Sequence, residues 1–196
     1  MIPMSSKNSG FTIVELLIVI VVVAILAAIT VVAYGGIQQR SGNVSRIAEV
    51  NKIQKLVRSY VTVHGAAQFK SLLPAYPATM SICLGTGYKD VIPTAAVGCY
   101  VNGDTIYTLS SAAVDNALAT IGKTTTSYPS FEHVVPPDTW AQSAPILRYD
   151  TSNITYIDYM LEGTNANCSN GATNLGSNSE WGPSTTCRLT LDLSAI

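Results

Sequence analysis

The sequence predicts an α+β protein: one long N-terminal α-helix followed by a globular head with a mostly antiparallel β-sheet. Three observations carry this. From Leu16 to Ala33 every residue is apolar except Thr30, a run of 18. Beyond Gly36 the apolar residues Ile37, Val44, Ile47, Val50, Ile53, Val57, Tyr60 and Val61 recur at helical steps of three, four and seven, with Gln38, Arg40, Arg46, Lys52, Lys55 and Arg58 between them. After Gly65 the chain turns to short apolar segments separated by Gly, Pro, Asn and Ser, the pattern of strands and turns.

The first segment, residues 1–10, is short and polar with one lysine and no apolar core of its own, so it is not a secretory signal peptide. Residues 11–36 follow. As a helix, the 18-residue run spans roughly 27 Å, close to the ~30 Å hydrocarbon thickness of a bilayer. A helix apolar on all sides requires lipid or an equally apolar bundle around it. Glu15 stands at its start, and a carboxylate there is a functional hypothesis that needs a partner. Lys7 and Arg40, the nearest basic side chains, do not reach comfortably. A cut between Gly10 and Phe11 would create an α-amine at Phe11, an i, i+4 neighbour of Glu15. The partner is then that amine, in the same chain or in one packed alongside.

These residues carry a resemblance. Gly10-Phe11-Thr12-Ile13-Val14-Glu15-Leu16-Leu17-Ile18, followed by Ala24-Ile25-Leu26-Ala27-Ala28-Ile29, resembles the N-terminal segment of type IV prepilins and their pseudopilin relatives over about residues 5–40. The resemblance implies a pilin fold in which the apolar half of the helix protrudes and the amphipathic half packs on the head. It implies cleavage after Gly10 by a prepilin peptidase, N-methylation of Phe11, and a role for Glu15 in assembling a filament of identical subunits. The implied partners are that peptidase, a pilus assembly platform with minor pilins, and the inner membrane before assembly. The implied destination is an extracellular, cell-surface pilus serving adhesion, motility or DNA uptake. Tyr34 falls where the family often has an aromatic residue. Val32 departs from the helix-kinking proline of many members, and Gly35-Gly36 stands nearby as an alternative source of weak helix. Two other readings remain. One is a pseudopilin or minor pilin of a type II secretion or competence system. The other, of a different class, is a membrane-anchored extracytoplasmic binding domain that does not polymerise.

Residues 37–64 are expected to continue the helix, with Gly65 as its stop. The heptads are too irregular and too few for a coiled coil. His64 at the helix end reads as structural. Residues 65–196 form the head. Residues 66–96 read as linker, and Asn102-Gly103 as the turn of a hairpin between Val97–Val101 and Thr105–Leu109. Ser110 or Ser111 caps a helix ending at Gly122, and residues 123–143 read as loop. Strands are expected over Ile146–Tyr149, over Ile154–Leu161 in a central position, and over Cys187–Leu193. Gly163–Thr186, rich in Gly, Asn, Ser and Thr, reads as a long polar loop.

The four cysteines, Cys83, Cys99, Cys168 and Cys187, contain no CxxC pair, and two histidines offer no zinc set. An even count beside an export signal indicates two disulfides outside the cytoplasm. Three pairings exist; Cys83–Cys99 with Cys168–Cys187 closes the shortest loops, and the second also resembles the C-terminal disulfide loop of many pilins.

The chain of 196 residues has a net charge of −1, and nothing in that balance indicates a nucleic-acid partner. Residues 37–70 carry a net +5 and residues 71–196 a net −6, which sets a basic stalk beside an acidic head. No phosphate loop, dinucleotide fingerprint or nucleophile elbow occurs, so no catalytic residue, cofactor or metal is assigned. Asp150, Asp158, Glu162 and Glu180 are candidate calcium ligands only by composition, since their spacing is not that of an EF-hand loop. The Asn-x-Ser/Thr triplets at Asn43, Asn153 and Asn167 occur at the frequency expected for such a composition.

Overall fold

The structure, a computed structural model, describes residues 12–74, 81–85, 99–102, 105–107, 111–124, 128–129, 131–135, 138–142, 144–149, 154–169, 171–178 and 183–195. Contacts divide the chain into two compact units, Met1–Arg40 and Ser41–Ile196. The architecture is α+β: a long N-terminal helix, apolar in its first half, and an antiparallel β head.

Helix α1 runs from Ile13 to His64, 52 residues. It stops at Gly65, whose φ of +85° lies in the region open to glycine and whose N–H closes on the Val61 carbonyl at 2.7 Å. Within the head, α1 contributes Val50, Ile53, Val57, Tyr60 and Val61 to the main core. The register of that buried face differs from the sequence reading at its start. Val44 is exposed, Ile47 only partly buried, and Arg46, assigned to the polar side, is 1% exposed. Steps of three and four run back from Tyr60 through Val57, Ile53 and Val50 to Arg46 and Asn43. The core-facing line is therefore continuous, but it changes from apolar to polar at Arg46.

Where a linker was expected, a short helix α2 (Ala66–Ser71) buries Phe69, and strand β1 (Ser81–Cys83) is fully buried. Strands β2 (Tyr100–Asn102) and β3 (Thr105–Tyr107) pair antiparallel, with Asn102 opposite Thr105. Asn102 therefore belongs to β2 rather than to the turn, and Gly103 lies outside the described residues. Ser111 caps helix α3 (Ala112–Ile121) by accepting the Val114 N–H at 3.3 Å. Gly122 ends it where Leu56 of α1 comes within 3.0 Å of the place a β-carbon would occupy.

The expected loop over 123–143 contains a hairpin, β4 (Phe131–Val135) and β5 (Asp138–Gln142). Val135 pairs with Asp138, and Pro136 and Pro137 lie outside the described residues. Strand β6 (Ile146–Tyr149) and strand β7 (Ile154–Glu162) lie where the sequence places them. The last strand, β9 (Ser184–Asp192), begins three residues early, and the polar stretch before it contains β8 (Ala172–Asn178). An edge strand with an exposed face needs no apolar alternation, which is why β8 read as loop.

The head holds two antiparallel sheets rather than one, ordered β1-β6-β7-β9-β8 and β3-β2-β5-β4. On β7 and β9, Ile157, Tyr159, Leu161, Cys187, Leu189 and Leu191 share the core with α1. β6 covers the β7 edge only as far as Asp158. Beyond it two side-chain amides take the place of a strand. Gln142 receives the Met160 N–H at 2.6 Å and donates to the Asp158 carbonyl at 3.3 Å. Asn43 receives the Glu162 N–H and donates to the Glu162 carbonyl, both at 2.8 Å. Backbone groups that would otherwise be left unpaired at this edge are thereby satisfied.

Candidate functional site

The N-terminus of α1 is built by two residues. The Thr12 hydroxyl accepts the Glu15 N–H at 3.3 Å, and the Glu15 Oε2 accepts both the Thr12 N–H and the Thr12 hydroxyl at 2.9 Å. This is a capping box: the N-cap threonine and the acid three residues on satisfy donors that the first helical turn leaves open. The sequence signal, Thr-x-x-Glu ahead of an apolar run, was present, and sequence reasoning passed over Thr12. Glu15 Oε2 is engaged by Thr12, and Oε1 has no partner among the described residues. Gly10 and Phe11, the expected cleavage point, lie outside the described residues.

Past the cap the helix shows its apolar side chains to the surroundings. Among them Leu16, Ile20 and Ile29 are 53–61% exposed. The helix is long and apolar enough to cross a membrane. The one hydroxyl between Leu16 and Ala33 would cost little in lipid, because Thr30 Oγ1 donates to the Ala27 carbonyl of the preceding turn at 2.9 Å.

In the head, Cys83 is joined to Cys99 and Cys168 to Cys187, with Cα–Cα distances of 6.0 and 5.7 Å across sequence separations of 16 and 19. Among the described residues no cysteine is free. The first bond sits in a small core with Ala144 and Ile146. The second ties β9 to the segment before β8, where Tyr159 donates to the Ser169 hydroxyl and accepts the Ser169 N–H, both at 2.9 Å.

Among the described residues the head's acids do not converge on a common point. Asp158 is buried between two arginines, accepting Nε and Nη2 of Arg188 at 2.7 and 2.8 Å and facing Arg148 Nε at 2.7 Å. The hydrogen bond to Asp158 raises the Arg188 pKa, and the guanidinium lies 4.8 Å from the Tyr156 ring centroid. Glu162 pairs with Arg46 at 2.6 Å. Asp150 and Glu180 lie outside the described residues. Among the described residues no group of three His, Cys, Asp or Glu is placed to hold a metal. His64 stacks on Tyr60 with ring centroids 4.4 Å apart.

Fold and site together define a class: an α+β chain with one membrane-type N-terminal helix, capped around a half-engaged glutamate, and a disulfide-bonded antiparallel head. Residues 5–31 match the family model described as the prokaryotic N-terminal methylation motif. The match covers the N-terminal segment alone and supports a type IV pilin or prepilin-like precursor. No curated protein and no solved structure matches the chain.

Proposed function

We propose that this chain is a structural subunit of a type IV pilus. The leader, residues 1–10, is removed by prepilin peptidase between Gly10 and Phe11, and Phe11 is N-methylated. The mature subunit waits in the inner membrane and then polymerises with identical copies into an extracellular filament, drawing on the assembly platform and minor pilins. Its work is mechanical rather than catalytic. The apolar helices exchange lipid for one another, and the bundle keeps their surface from water at roughly 25 cal/mol per Å² of apolar area.

The observation that carries the reading is Glu15. It is the one acid at the head of an otherwise apolar exposed helix, and among the described residues only Oε2 has a partner. A neighbour's α-amine at Oε1 would pair the charge as it leaves water, and a wrong axial offset would leave both groups unpaired. Glu15 thereby supplies register as well as affinity.

The test is to isolate surface filaments and sequence the N-terminus of their bulk component. The expected result is this chain beginning at methylated Phe11. Trace amounts in filaments built of another protein would assign it to a pseudopilin or minor-pilin role. An intact Met1 on single, unassociated membrane copies would overturn the proposal in favour of an anchored binding domain.

A further inference from the structure

The head's share of α1 opens with nine residues, 41–49, that offer the head little apolar hold. Val44 is 61% exposed, Ile47 only partly buried, and Val50 is the first fully buried apolar side chain. Asn43 and Arg46 lie on the core-facing line instead. Asn43 makes its paired hydrogen bonds to the Glu162 backbone at 2.8 Å. Arg46 Nη1 donates to the Asn43 Oδ1 at 2.9 Å, Nη2 to the Glu162 Oε1 at 2.6 Å and Nε to the Pro129 carbonyl at 2.9 Å. Two helical turns are thus fastened to the end of β7 by directional bonds to a buried cation.

The chain just before is poor in helix-forming residues. Gly35, Gly36 and Gly42 fall within eight positions, and each weakens a helix interior relative to alanine. Fraying that begins there meets only the partly buried Ile47 before it reaches Val50. The Asn43–Arg46–Glu162 cluster stands in its way.

We propose that Asn43, Arg46 and Glu162 form a clamp that fixes where α1 stops belonging to the head, and thereby how much of the helix each subunit gives to the filament core. The first clause stands on the head's own geometry. The second rests on the pilus reading above. Without the clamp the hold retreats to Val50, which frees up to about seven further residues, or roughly 10 Å of helix at 1.5 Å per residue.

The test is amide hydrogen exchange on the full-length protein in detergent micelles, comparing wild type with Asn43→Ala, Glu162→Gln and, as a control on the same helix, Lys55→Ala. In Asn43→Ala and Glu162→Gln, protection over residues 41–49 is expected to fall about tenfold, the equivalent of one or two hydrogen bonds. Residues 53–61, β7 and β9 keep theirs, and Lys55→Ala changes nothing. Unchanged protection over 41–49, or an equal loss across the whole head, would overturn the clamp. Should Asn43→Ala fail to fold, Glu162→Gln, which preserves shape, gives the same reading. In filaments, either variant is expected to alter the axial rise per subunit or lower shear resistance. Wild-type-like filaments from a variant with a frayed 41–49 would sink the second clause alone. Failure of the wild-type chain to form filaments would sink the pilus reading and leave the clamp standing.

Discussion

Residues 13–40 and 41–64 belong to one helix, yet they satisfy their polar groups by opposite means. In the first part the polar side chains of Glu15 and Thr30 bond within one turn. Glu15 bonds Thr12, and Thr30 bonds the Ala27 carbonyl. In the second, Asn43 and Arg46 reach groups more than 80 positions away, on β7 and at Pro129. On the proposed pilus reading, a segment that must tolerate both lipid and other copies of itself cannot depend on fixed distant partners. A segment committed to one head can. The two carboxylates differ accordingly: among the described residues Glu15 Oε1 has no partner, whereas Glu162 is bound up with Arg46 and Asn43 inside the head.

The strongest way to break this comparison is to remove the open acid. Glu15→Ala is expected to be cleaved and inserted normally, because the apolar run is intact. Losing one partner of a buried charge pair costs about 3–5 kcal/mol. Incorporation into filaments, measured by shearing and immunoblotting against total protein, should therefore fall about a hundredfold or more. Normal assembly of Glu15→Ala would show that the open oxygen is incidental. Replacing Gly10 with leucine probes the step before. Uncut precursor, heavier by about ten residues, is the expected product by mass spectrometry.

A smaller effect is expected on the head alone. Cys168→Ala with Cys187→Ala opens a loop of 19 residues of sequence separation. In the chain-entropy account this removes about 3 kcal/mol of stability. Denaturant unfolding of the detergent-solubilised protein should register the loss, with helix residues 13–40 keeping their helicity. If the apolar half of α1 melts with the head, the two regions are not independent in the way their hydrogen bonding suggests.

Legibility in the sequence divides along the same line. The apolar run, the stop at Gly65, the Ser111 cap, and strands β6 and β7 rest on local periodicity or local capping, and they could be read. The capping box was equally local and was there to be read at Thr12. What escaped depends on distant partners. Arg46 looks like a solvated cation until Glu162 and Pro129 are brought to it. β8 looks like loop until β9 lies beside it, and so do β4 and β5 until they pair with each other. Disulfide pairing falls between these cases, since loop length favours one arrangement without excluding the other two.

Asp115 offers the finest test, because it is an acid of the head held by a single distant donor. It lies in the first turn of α3, mostly buried, and its Oδ1 accepts the Gly85 N–H at 2.9 Å. Burial pushes its pKa above the usual carboxylate value, and the Gly85 hydrogen bond opposes that only in part. A carboxyl whose folded pKa exceeds its unfolded one favours the folded state most when both states are protonated. That contribution is lost as pH rises through the folded value. Asp115→Asn keeps an acceptor for Gly85 without the charge. The variant should therefore be the more stable of the two at pH 7, and its advantage should shrink as pH falls into the carboxylate range. Thermal melts of both proteins between pH 3 and pH 7 measure the difference. A constant gap across that range would mean that the ionised carboxylate is as well solvated in the head as in water. Asp115 would then resemble Glu15 in its independence of the fold around it, and the contrast between the two regions would narrow.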